Sequence, residues 1–422
     1  MRSAAVTAYV VAILAIVIIA GCVGQGGESA EESKGGGIGS LSNDKGPVPL
    51  NESITPTTYD LQPKWSECMK AHGGSLVFSP EGAYFLESAW DVIAQPQVVL
   101  YDENGKVWEY RPDESHSIDQ FKVSISKIST SNNAKFTVVE YIDNTLDLLD
   151  SNGALLWSKS IVGAYDLVGI TPDAKYILLE GQPVLDENRE WHYGYKVMDI
   201  DGNEVWSRDT LSDTLLYWDS NYLLLTRTSG NTVDKVSTAN GEVLLTAKYR
   251  FSDEAGFDQV QAAKGEDAIY AIYYGENSTS LLLRYKMTAN GLVEVWHKNV
   301  QDRYPPGISA SQDGKYLAAG GRYLSLINND GPTLWTYNIT GVYFQTVSNT
   351  GHMMATVRSW INEQQFAGLI VISPDGSEVG MRKVDTTIDV HGISPNGKYV
   401  VTLIGNEEPC PNGGGLLVLG VK

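Results

Sequence analysis

Pairs of asparagine or aspartate followed by glycine recur along this chain at nearly regular intervals, and each pair separates two apolar runs. Such pairs favour the tight turns that join antiparallel strands, because both residues tolerate a positive φ angle. Successive turn glycines are separated by 48, 49, 39, 50, 40 and 45 residues. A period near 45 residues is typical of β-propeller blades, which are small sheets packed around a common axis. The turn glycines are Gly105, Gly153, Gly202, Gly241, Gly291, Gly331 and Gly376.

A second series of turns interleaves with the first and indicates the order of strands within a blade. Its members include Pro172–Lys175, Gln312–Lys315 and Pro395–Lys398, and most are followed by Tyr or Phe and an apolar run. Short runs of β-branched and aromatic residues between turns predict strands. Each blade is therefore predicted to run from an inner strand a, through strands b and c, to an outer strand d. Tight turns join a to b and c to d, and longer loops join b to c.

The two series differ in number, because eight a–b turns face only seven c–d turns. The chain ends after the c strand of its last repeat, so this repeat lacks an outer strand. Near the start of the repeat region, Lys64–Glu67 reads KWSE and resembles the outer-strand segments Leu156–Lys159 and Val205–Arg208. We therefore predict an all-β, eight-bladed propeller of four-stranded antiparallel blades, whose ring is closed by this N-terminal strand. A seven-bladed ring is the alternative.

The first residues predict export and a lipid anchor. A nearly continuous apolar segment, residues 4–20, ends in small residues directly before Cys22, an arrangement that a lipoprotein signal peptidase recognises. An uncleaved signal anchor is the alternative, and both place the remaining chain outside the cytoplasm, at the cell surface or in a periplasm. We predict a signal peptide over residues 1–22, lipidation of Cys22, a flexible Gly-, Ser- and Glu-rich tether over residues 23–56 and the propeller over residues 57–422.

The remaining two cysteines, Cys68 and Cys410, form an even pair in an oxidising compartment. Cys68 follows the borrowed outer strand, and Cys410 lies in the b–c loop of the blade that borrows it. A disulfide between them is predicted, and two free thiols are the alternative. Three glycosylation sequons, at Asn51, Asn277 and Asn338, are compatible with surface glycosylation and are equally compatible with chance.

Six tryptophans occupy the same place in the outer-strand repeat. Because an indole ring fills a large volume, we predict that they pack blade against blade. Asp199–Glu204 superficially resembles a calcium loop but lacks the full run of oxygen ligands, so no metal site is predicted. The repeat tryptophans are Trp65, Trp108, Trp157, Trp206, Trp296 and Trp335.

The face that carries the b–c loops is the predicted binding face. Its loops hold aromatic residues outside the repeat positions, beside acidic residues and arginines. Exposed aromatic residues flanked by charges suit glycan stacking or a protein partner. The alternative is that the loops pack these aromatic residues over the blade edges. The predicted binding residues are Trp90, Asp91, Arg189, Trp191, Tyr193, Tyr274, Arg358, Trp360 and Phe366.

The repeat resembles those of two propeller groups. An apolar strand followed by Asp or Asn, Gly and Trp resembles the repeat of quinoprotein-type (PQQ-like) propellers, and the turn Ser394–Tyr399 resembles that of WD-type repeats. The resemblance covers about residues 58–422 and implies a fold that hosts many activities. Quinoprotein alcohol dehydrogenases hold their quinone with a vicinal cysteine pair and a calcium site, whereas this chain has no adjacent cysteines. It resembles more closely the non-enzymatic lipoprotein propellers that serve as binding platforms or assembly scaffolds.

We therefore expect a lipid-anchored propeller that binds a protein or glycan as a non-catalytic scaffold. The net charge of −20 argues against nucleic acid and anionic lipid surfaces as partners. The six histidines lack metal-ligand spacing, and no phosphate loop or nucleophile elbow is present, so neither a metal nor a cofactor is predicted. The alternative is an extracytoplasmic enzyme, a hydrolase or a quinone-dependent dehydrogenase, with its site in the central funnel.

Overall fold

The computed structural model of the protein is rich in strands. Apart from a 3₁₀ turn at Asn132–Ala134, the residues that it describes form strands, turns and short connections. None of them belongs to a helix that is long and apolar enough to span a bilayer. The described residues are 57–69, 75–89, 96–112, 125–163, 165–182, 184–185, 191–211, 213–227, 232–248, 259–263, 268–274, 279–301, 307–320, 323–337, 342–361, 364–383, 391–404 and 414–422.

Two N-terminal strands precede the first four blades. The N-terminal strands are β1 (Thr57–Asp60) and β2 (Pro63–Met69). Blade 1 contains β3 (Leu76–Phe78), β4 (Tyr84–Ala89), β5 (Gln97–Asp102) and β6 (Gly105–Tyr110). Blade 2 contains β7 (Ile125–Thr130), β8 (Phe136–Tyr141), β9 (Thr145–Asp150) and β10 (Leu155–Ser160). Blade 3 contains β11 (Tyr165–Ile170), β12 (Tyr176–Gly181), β13 (Val184–Leu185), β14 (Trp191–Asp199) and β15 (Glu204–Leu211). Blade 4 contains β16 (Asp213–Trp218), β17 (Tyr222–Arg227), β18 (Thr232–Ser237) and β19 (Val243–Lys248).

The second half of the chain supplies four more blades. Blade 5 contains β20 (Gln259–Ala263), β21 (Ala268–Tyr274), β22 (Thr279–Thr288) and β23 (Gly291–Gln301). Blade 6 contains β24 (Gly307–Ala310), β25 (Tyr316–Gly320), β26 (Leu324–Asn328) and β27 (Thr333–Tyr337). Blade 7 contains β28 (Val342–Val347), β29 (Met353–Ile361), β30 (Gln364–Ile372) and β31 (Glu378–Lys383). Blade 8 contains β32 (His391–Ile393), β33 (Tyr399–Ile404) and β34 (Gly414–Gly420).

These strands form eight separate sheets, in each of which the consecutive strands are antiparallel. The predicted eight-bladed all-β propeller is therefore confirmed, and the seven-bladed alternative is wrong. The hydrophobic core is divided in the same way, into eight clusters that each lie between two neighbouring blades. Both faces of the middle strands are thus covered, which is why strands b and c read as nearly continuous apolar runs rather than as alternating ones.

The ring closes where the N-terminal strand β2 completes blade 8. β2 pairs antiparallel with β34, with Trp65 opposite Val418, so the borrowed outer strand predicted from the KWSE segment is confirmed. The Trp65 ring stacks on Tyr101 of blade 1 at 5.3 Å between ring centroids. On the inner side of the same seam, the Tyr399 hydroxyl donates a hydrogen bond of 2.9 Å to the Gly82 carbonyl. The first and last parts of the chain therefore hold each other in place.

The a–b turns form a second chain of contacts from blade to blade. The Asn132 amide of blade 2 donates to the Pro172 carbonyl of blade 3 at 2.9 Å. The Asn349 amide of blade 7 donates in the same way to the Pro395 carbonyl of blade 8 at 2.8 Å. These bonds satisfy turn amides that no strand partner reaches. They also link consecutive blades near the axis, where the strands are shortest.

The repeat tryptophans link the outer strands. The indole N–H of Trp206 donates to the Thr238 carbonyl in the c–d turn of the next blade at 2.7 Å, and Trp65, Trp157, Trp296 and Trp335 make the equivalent bond. The indole also lies against the turn glycine, since a Cβ on Gly241 would stand 2.9 Å from the Trp206 ring. Glycine is therefore needed there for space as well as for its φ of 72°.

A second lateral bond comes from the residue two positions after the tryptophan. Tyr110 of blade 1 donates its hydroxyl to the buried Asp147 carboxylate of blade 2 at 2.7 Å. Lys159 of blade 2 donates to the Asp201 carbonyl of blade 3 at 2.6 Å. Side chains two apart on a strand point to the same face, so both residues of the pair reach the same neighbouring blade.

Blade 7 lacks the tryptophan, and the N-terminal strand β1 replaces it. Gly380 stands at the tryptophan position, and a Cβ there would lie 2.6 Å from Leu61 and 2.8 Å from the Tyr59 ring. β1 pairs parallel with β31 as a fifth strand, and Leu61, which is fully buried, packs between blades 7 and 8. The same N-terminal segment thus completes two adjacent blades.

We predict that Leu61→Ala lowers the free energy of unfolding by about 2–5 kcal/mol, because it opens a cavity between blades 7 and 8. Urea denaturation followed by tryptophan fluorescence measures this change. Leu156→Ala on the half-exposed rim of blade 2 is the matched control and should cost less than about 1 kcal/mol. Equal losses in the two variants would contradict the wedge role of Leu61.

Candidate functional site

All b–c connections leave the blades on one face, because the a and c strands run in one direction and the b and d strands run in the other. The b–c segments of blades 1, 3, 5, 7 and 8 continue the sheet beyond the last residue pair of the inner strand, and those of blades 3, 5 and 7 contain described residues of the predicted binding set. These three extensions are the candidate site. They hold the described members of the predicted binding set, and the backbone register gives the place of each.

The blade 7 extension is a two-stranded hairpin. The inner strand β28 pairs with β29 only up to Val357. Beyond that point β29 pairs with β30 alone, with Arg358 opposite Ala367, Ser359 opposite Phe366 and Trp360 opposite Gln365. Arg358, Trp360 and Phe366 thus belong to one hairpin that projects past the body of the blade.

Blades 3 and 5 carry similar extensions. On blade 3, Trp191 lies opposite Leu185 of β13, and Tyr193 lies opposite Thr210 of β15. On blade 5, Tyr274 ends β21 opposite Ser280. These positions and the blade 7 hairpin occupy alternate blades around the loop face. The other predicted residues, Trp90, Asp91 and Arg189, lie outside the described residues, and so does Cys22.

The loop face is not uniform, because the b–c connection of blade 2 is a tight turn rather than a long loop. Its amide at Asn144 donates to the Tyr141 carbonyl at 3.0 Å, and Asn144 has a φ of 60°. The expectation of long loops therefore holds for blades 3, 5 and 7 and is wrong for blade 2. The short b–c turn of blade 2 therefore lies beside the longer b–c extension of blade 3.

The opposite face is formed by the tight turns and carries one shallow depression between blades 2 and 3. Asn133, Lys135 and Asp173 line it with their neighbours. In the described part of the chain, no three His, Cys, Asp or Glu side chains are arranged to hold a metal ion. The depression therefore offers polar contacts and no evident reactive group.

Glu140 is a buried carboxylate close to the inner strands of blades 2 and 3. Its Oε1 accepts a hydrogen bond of 2.6 Å from the Leu167 amide, and its Oε2 is buried without a hydrogen-bond partner among the described residues. Burial raises the pKa of Glu140 to about 7, and the charge of Asp166 adds to this effect. This bond joins blade 2 to blade 3, so Glu140 has a structural role as a link between blades.

Glu87 is a second buried carboxylate, and it lies at the seam between blades 8 and 1. Burial raises its pKa to about 8, with a smaller contribution from the charge of Glu67 on β2. Its Oε2 has no hydrogen-bond partner within the described residues. The Glu87 carboxyl is therefore mostly protonated at pH 7, which avoids an unpaired charge in the closing interface.

Cys68 lies on β2 opposite Gly415 of β34. It is disulfide-bonded, and its partner lies outside the described residues, as does Cys410. The pairing of Cys68 with Cys410 stays a prediction. Cys410 lies five positions before Gly415 in the sequence, so a bond between Cys68 and Cys410 would lie at the loop end of the seam.

Two structural features were not predicted from the sequence, namely the lateral bonds of the outer strands and strand β1. The lateral bonds of Tyr110 and Lys159 occur two residues after a repeat tryptophan, and this spacing could have revealed them. Strand β1 was missed because its four residues, Thr57–Asp60, repeat nothing else in the chain. Its only signal was indirect, namely the glycine at the tryptophan position of blade 7.

No protein-family model and no curated protein matches this chain. Solved structures do match its fold. BamB from Moraxella catarrhalis is 12% identical with a TM-score of 0.55, over 86% of this chain and 98% of that one. The C-terminal WD40 domain of Sif2 is 10% identical with a TM-score of 0.54, over 86% and 99%. The Dos1 propeller is 12% identical with a TM-score of 0.54, over 86% and 96%. At these identities the similarity establishes the fold alone.

We predict that the unfolding free energy of the parent protein falls by on the order of a few kcal/mol as the pH rises from about 4.5 to about 8. Across this window the folded protein keeps the proton of Glu87 while the unfolded chain releases it. Glu87→Gln should remove this part of the slope, and exposed Glu378→Gln should leave it. Denaturation at several pH values provides the measurement, and an unchanged slope in Glu87→Gln would contradict the assignment.

Proposed function

We propose that this protein is a lipid-anchored, extracytoplasmic propeller that binds a partner protein through the hairpins of blades 3, 5 and 7, without catalysis. Lipidation at Cys22 and the tether over residues 23–56 would hold the propeller at a membrane. The tether supplies reach, because a Gly- and Ser-rich segment behaves as a flexible coil. The ring itself supplies a fixed arrangement of the three hairpins.

One observation carries the proposal: three b–c hairpins extend the sheets on the same face of a closed ring. A hairpin whose backbone is already paired leaves less to be ordered on binding than an unpaired loop does. Avoiding this ordering improves affinity for a given contact area. Tryptophan, tyrosine and arginine, which these extensions carry, are the residues that most often dominate binding energy at protein interfaces.

The choice of a scaffold over an enzyme rests on two further points. The buried carboxylates Glu87 and Glu140 lie between blades, where packing accounts for both. The solved structures of similar fold include BamB and the WD40 domain of Sif2, and this similarity supports a role in binding. A glycan partner would stack on the same aromatic residues, so the capture experiment below distinguishes it from a protein partner.

We predict that the combined substitution Trp191→Ala and Trp360→Ala weakens capture of the partner at least about tenfold, because it removes an aromatic anchor from two hairpins. The full chain is expressed in its host, cross-linked on intact cells and purified, and the captured proteins are quantified by mass spectrometry. The rim variant Leu334→Ala, purified in the same way, should capture the partner as the parent does.

The same experiment tests the anchor. By intact-mass measurement, the purified parent should begin at Cys22 and carry acyl chains, and Cys22→Ser should carry none. Equal capture by the parent and the double variant would contradict recognition through these hairpins. Capture of glycans alone would replace the protein partner with a carbohydrate, and a parent chain without acyl chains would contradict lipidation.

A further inference from the structure

The closing strand β2 differs from the other outer strands at the position two residues after the tryptophan site. In five of the other seven outer strands, the side chain at this position donates a hydrogen bond. These donors are Tyr110, Lys159, Lys298, Tyr337 and Arg382. The closing strand has Glu67 there, which is the only acid at this position in the eight outer strands. An ionised carboxylate only accepts hydrogen bonds, so β2 meets blade 1 as an acceptor.

Lys106 of blade 1 supplies the matching donor. Its ammonium nitrogen lies 3.5 Å from a carboxylate oxygen of Glu67 and 3.2 Å from one of Glu109. All three side chains are partly exposed to water. Ion pairs of this kind contribute little to stability, because water and salt screen them. The contact between β2 and blade 1 therefore depends mainly on the buried side chains of the seam.

One of these buried side chains is a carboxyl group. Glu87 lies two residues after Phe85, which packs in the cluster between blades 8 and 1, so both side chains point into this seam. Glu87 is only 1% exposed, and its Oε2 has no hydrogen-bond partner among the described residues. Burial of an unpaired ionised carboxylate is much more costly than burial of the neutral acid. The closed seam therefore favours the protonated form of Glu87.

The titratable groups around Glu87 favour the same form. They are Glu67 on β2, Tyr101 on β5, Lys106 and Glu109 on β6, and Tyr399 on β33. Burial raises the pKa of Glu87 to about 8, and the charge of Glu67 adds to this effect. Burial and then the charges of Glu87 and Glu67 raise the pKa of the Tyr101 hydroxyl. Lys106 already pairs with the two other carboxylates, and the Tyr399 hydroxyl bonds to a carbonyl.

We propose that the seam between blades 8 and 1 is a proton-dependent latch, which is closed while Glu87 holds a proton and released when that proton passes to a base in the solvent. Ionisation would place the charges of Glu87 and Glu67 on the two sides of one contact, where they repel each other. Water reaches the Glu87 carboxylate only when the seam opens, so ionisation favours the open form. This opening is local, because it leaves the contacts within and between the other blades in place.

Backbone amide hydrogen exchange of the full protein at about pH 5 and about pH 8.5 tests the latch. Protection factors, which are corrected for the intrinsic effect of pH on exchange, are compared for β34 and β2 at the seam and for β26 and β27, the corresponding strands of blade 6. The stabilising effect of the protonated Glu87 is lost as the pH rises to about 8. Protection at the seam should therefore fall at least about tenfold more than protection in blade 6.

Two variants separate Glu87 from other carboxylates of the seam. Glu87→Gln keeps the shape of the side chain and cannot ionise, so its seam protection should differ less than about twofold between the two pH values. Glu103→Gln is the matched control. Glu103 lies on the c–d turn of blade 1, where its exposed carboxylate is 3.7 Å from the Lys64 ammonium, so this variant should show the full fall of the parent.

The parent alone can overturn the proposal, whether or not the variants fold. An equal fall of protection at the seam and in blade 6 would mean that the seam opens only when the whole protein unfolds, and this result would overturn the latch. A fall at the seam that persists in Glu87→Gln would also overturn it, because another group would then release the proton.

Discussion

The structure depends on the joint between the two ends of the repeat region, where β2 completes blade 8. Within the ring, seven pairs of neighbouring blades are joined by the chain itself, but blades 8 and 1 meet only through β2 and the contacts around it. Because the core is divided into eight clusters between blades, an open ring would expose one cluster to water on each side of the gap. The Trp65 stack, the Tyr399 bond to Gly82 and the neutral Glu87 all lie at this joint. Closure also requires contacts between residues more than 300 positions apart, which makes ring formation intrinsically slow.

In this closed ring, partner binding can be assigned to surface features that differ from blade to blade. The blades have the same internal design, so the features that distinguish them are additions to it: the longer hairpins on blades 3 and 7 and the extra strand on blade 7. The proposed binding surface on the loop face is therefore built from features that the repeat itself does not explain.

Much of the architecture follows from the sequence, because each blade repeats the same local chemistry. The turn glycines, the aromatic residue after the a–b turn and the tryptophan of the outer strand indicate strand order, and the KWSE segment identifies the closing strand. β1 was not predictable in this way, since Thr57–Asp60 has no counterpart and its role depends on a side chain that Gly380 lacks. The raised pKa of Glu87 could not be predicted from the sequence either, because it depends on burial against a strand from the far end of the chain. For the candidate site, the sequence indicated the face but not the hairpin extensions, which depend on pairing beyond the inner strand.

The most direct test of ring closure compares backbone amide hydrogen exchange in Ser66→Pro and Ser158→Pro. Both substitutions place proline one residue after the tryptophan of an outer strand, but Ser66 lies on the closing strand, whereas Ser158 lies on β10, which a c–d turn joins to β9 of its own blade. The account predicts that Ser66→Pro accelerates exchange across the seam, in β33 and β34 of blade 8 and in β4 and β5 of blade 1, whereas Ser158→Pro accelerates it only in β9 and β10. Exchange confined to β2 and β34 in the Ser66→Pro variant would contradict the claim that this strand holds the ring closed.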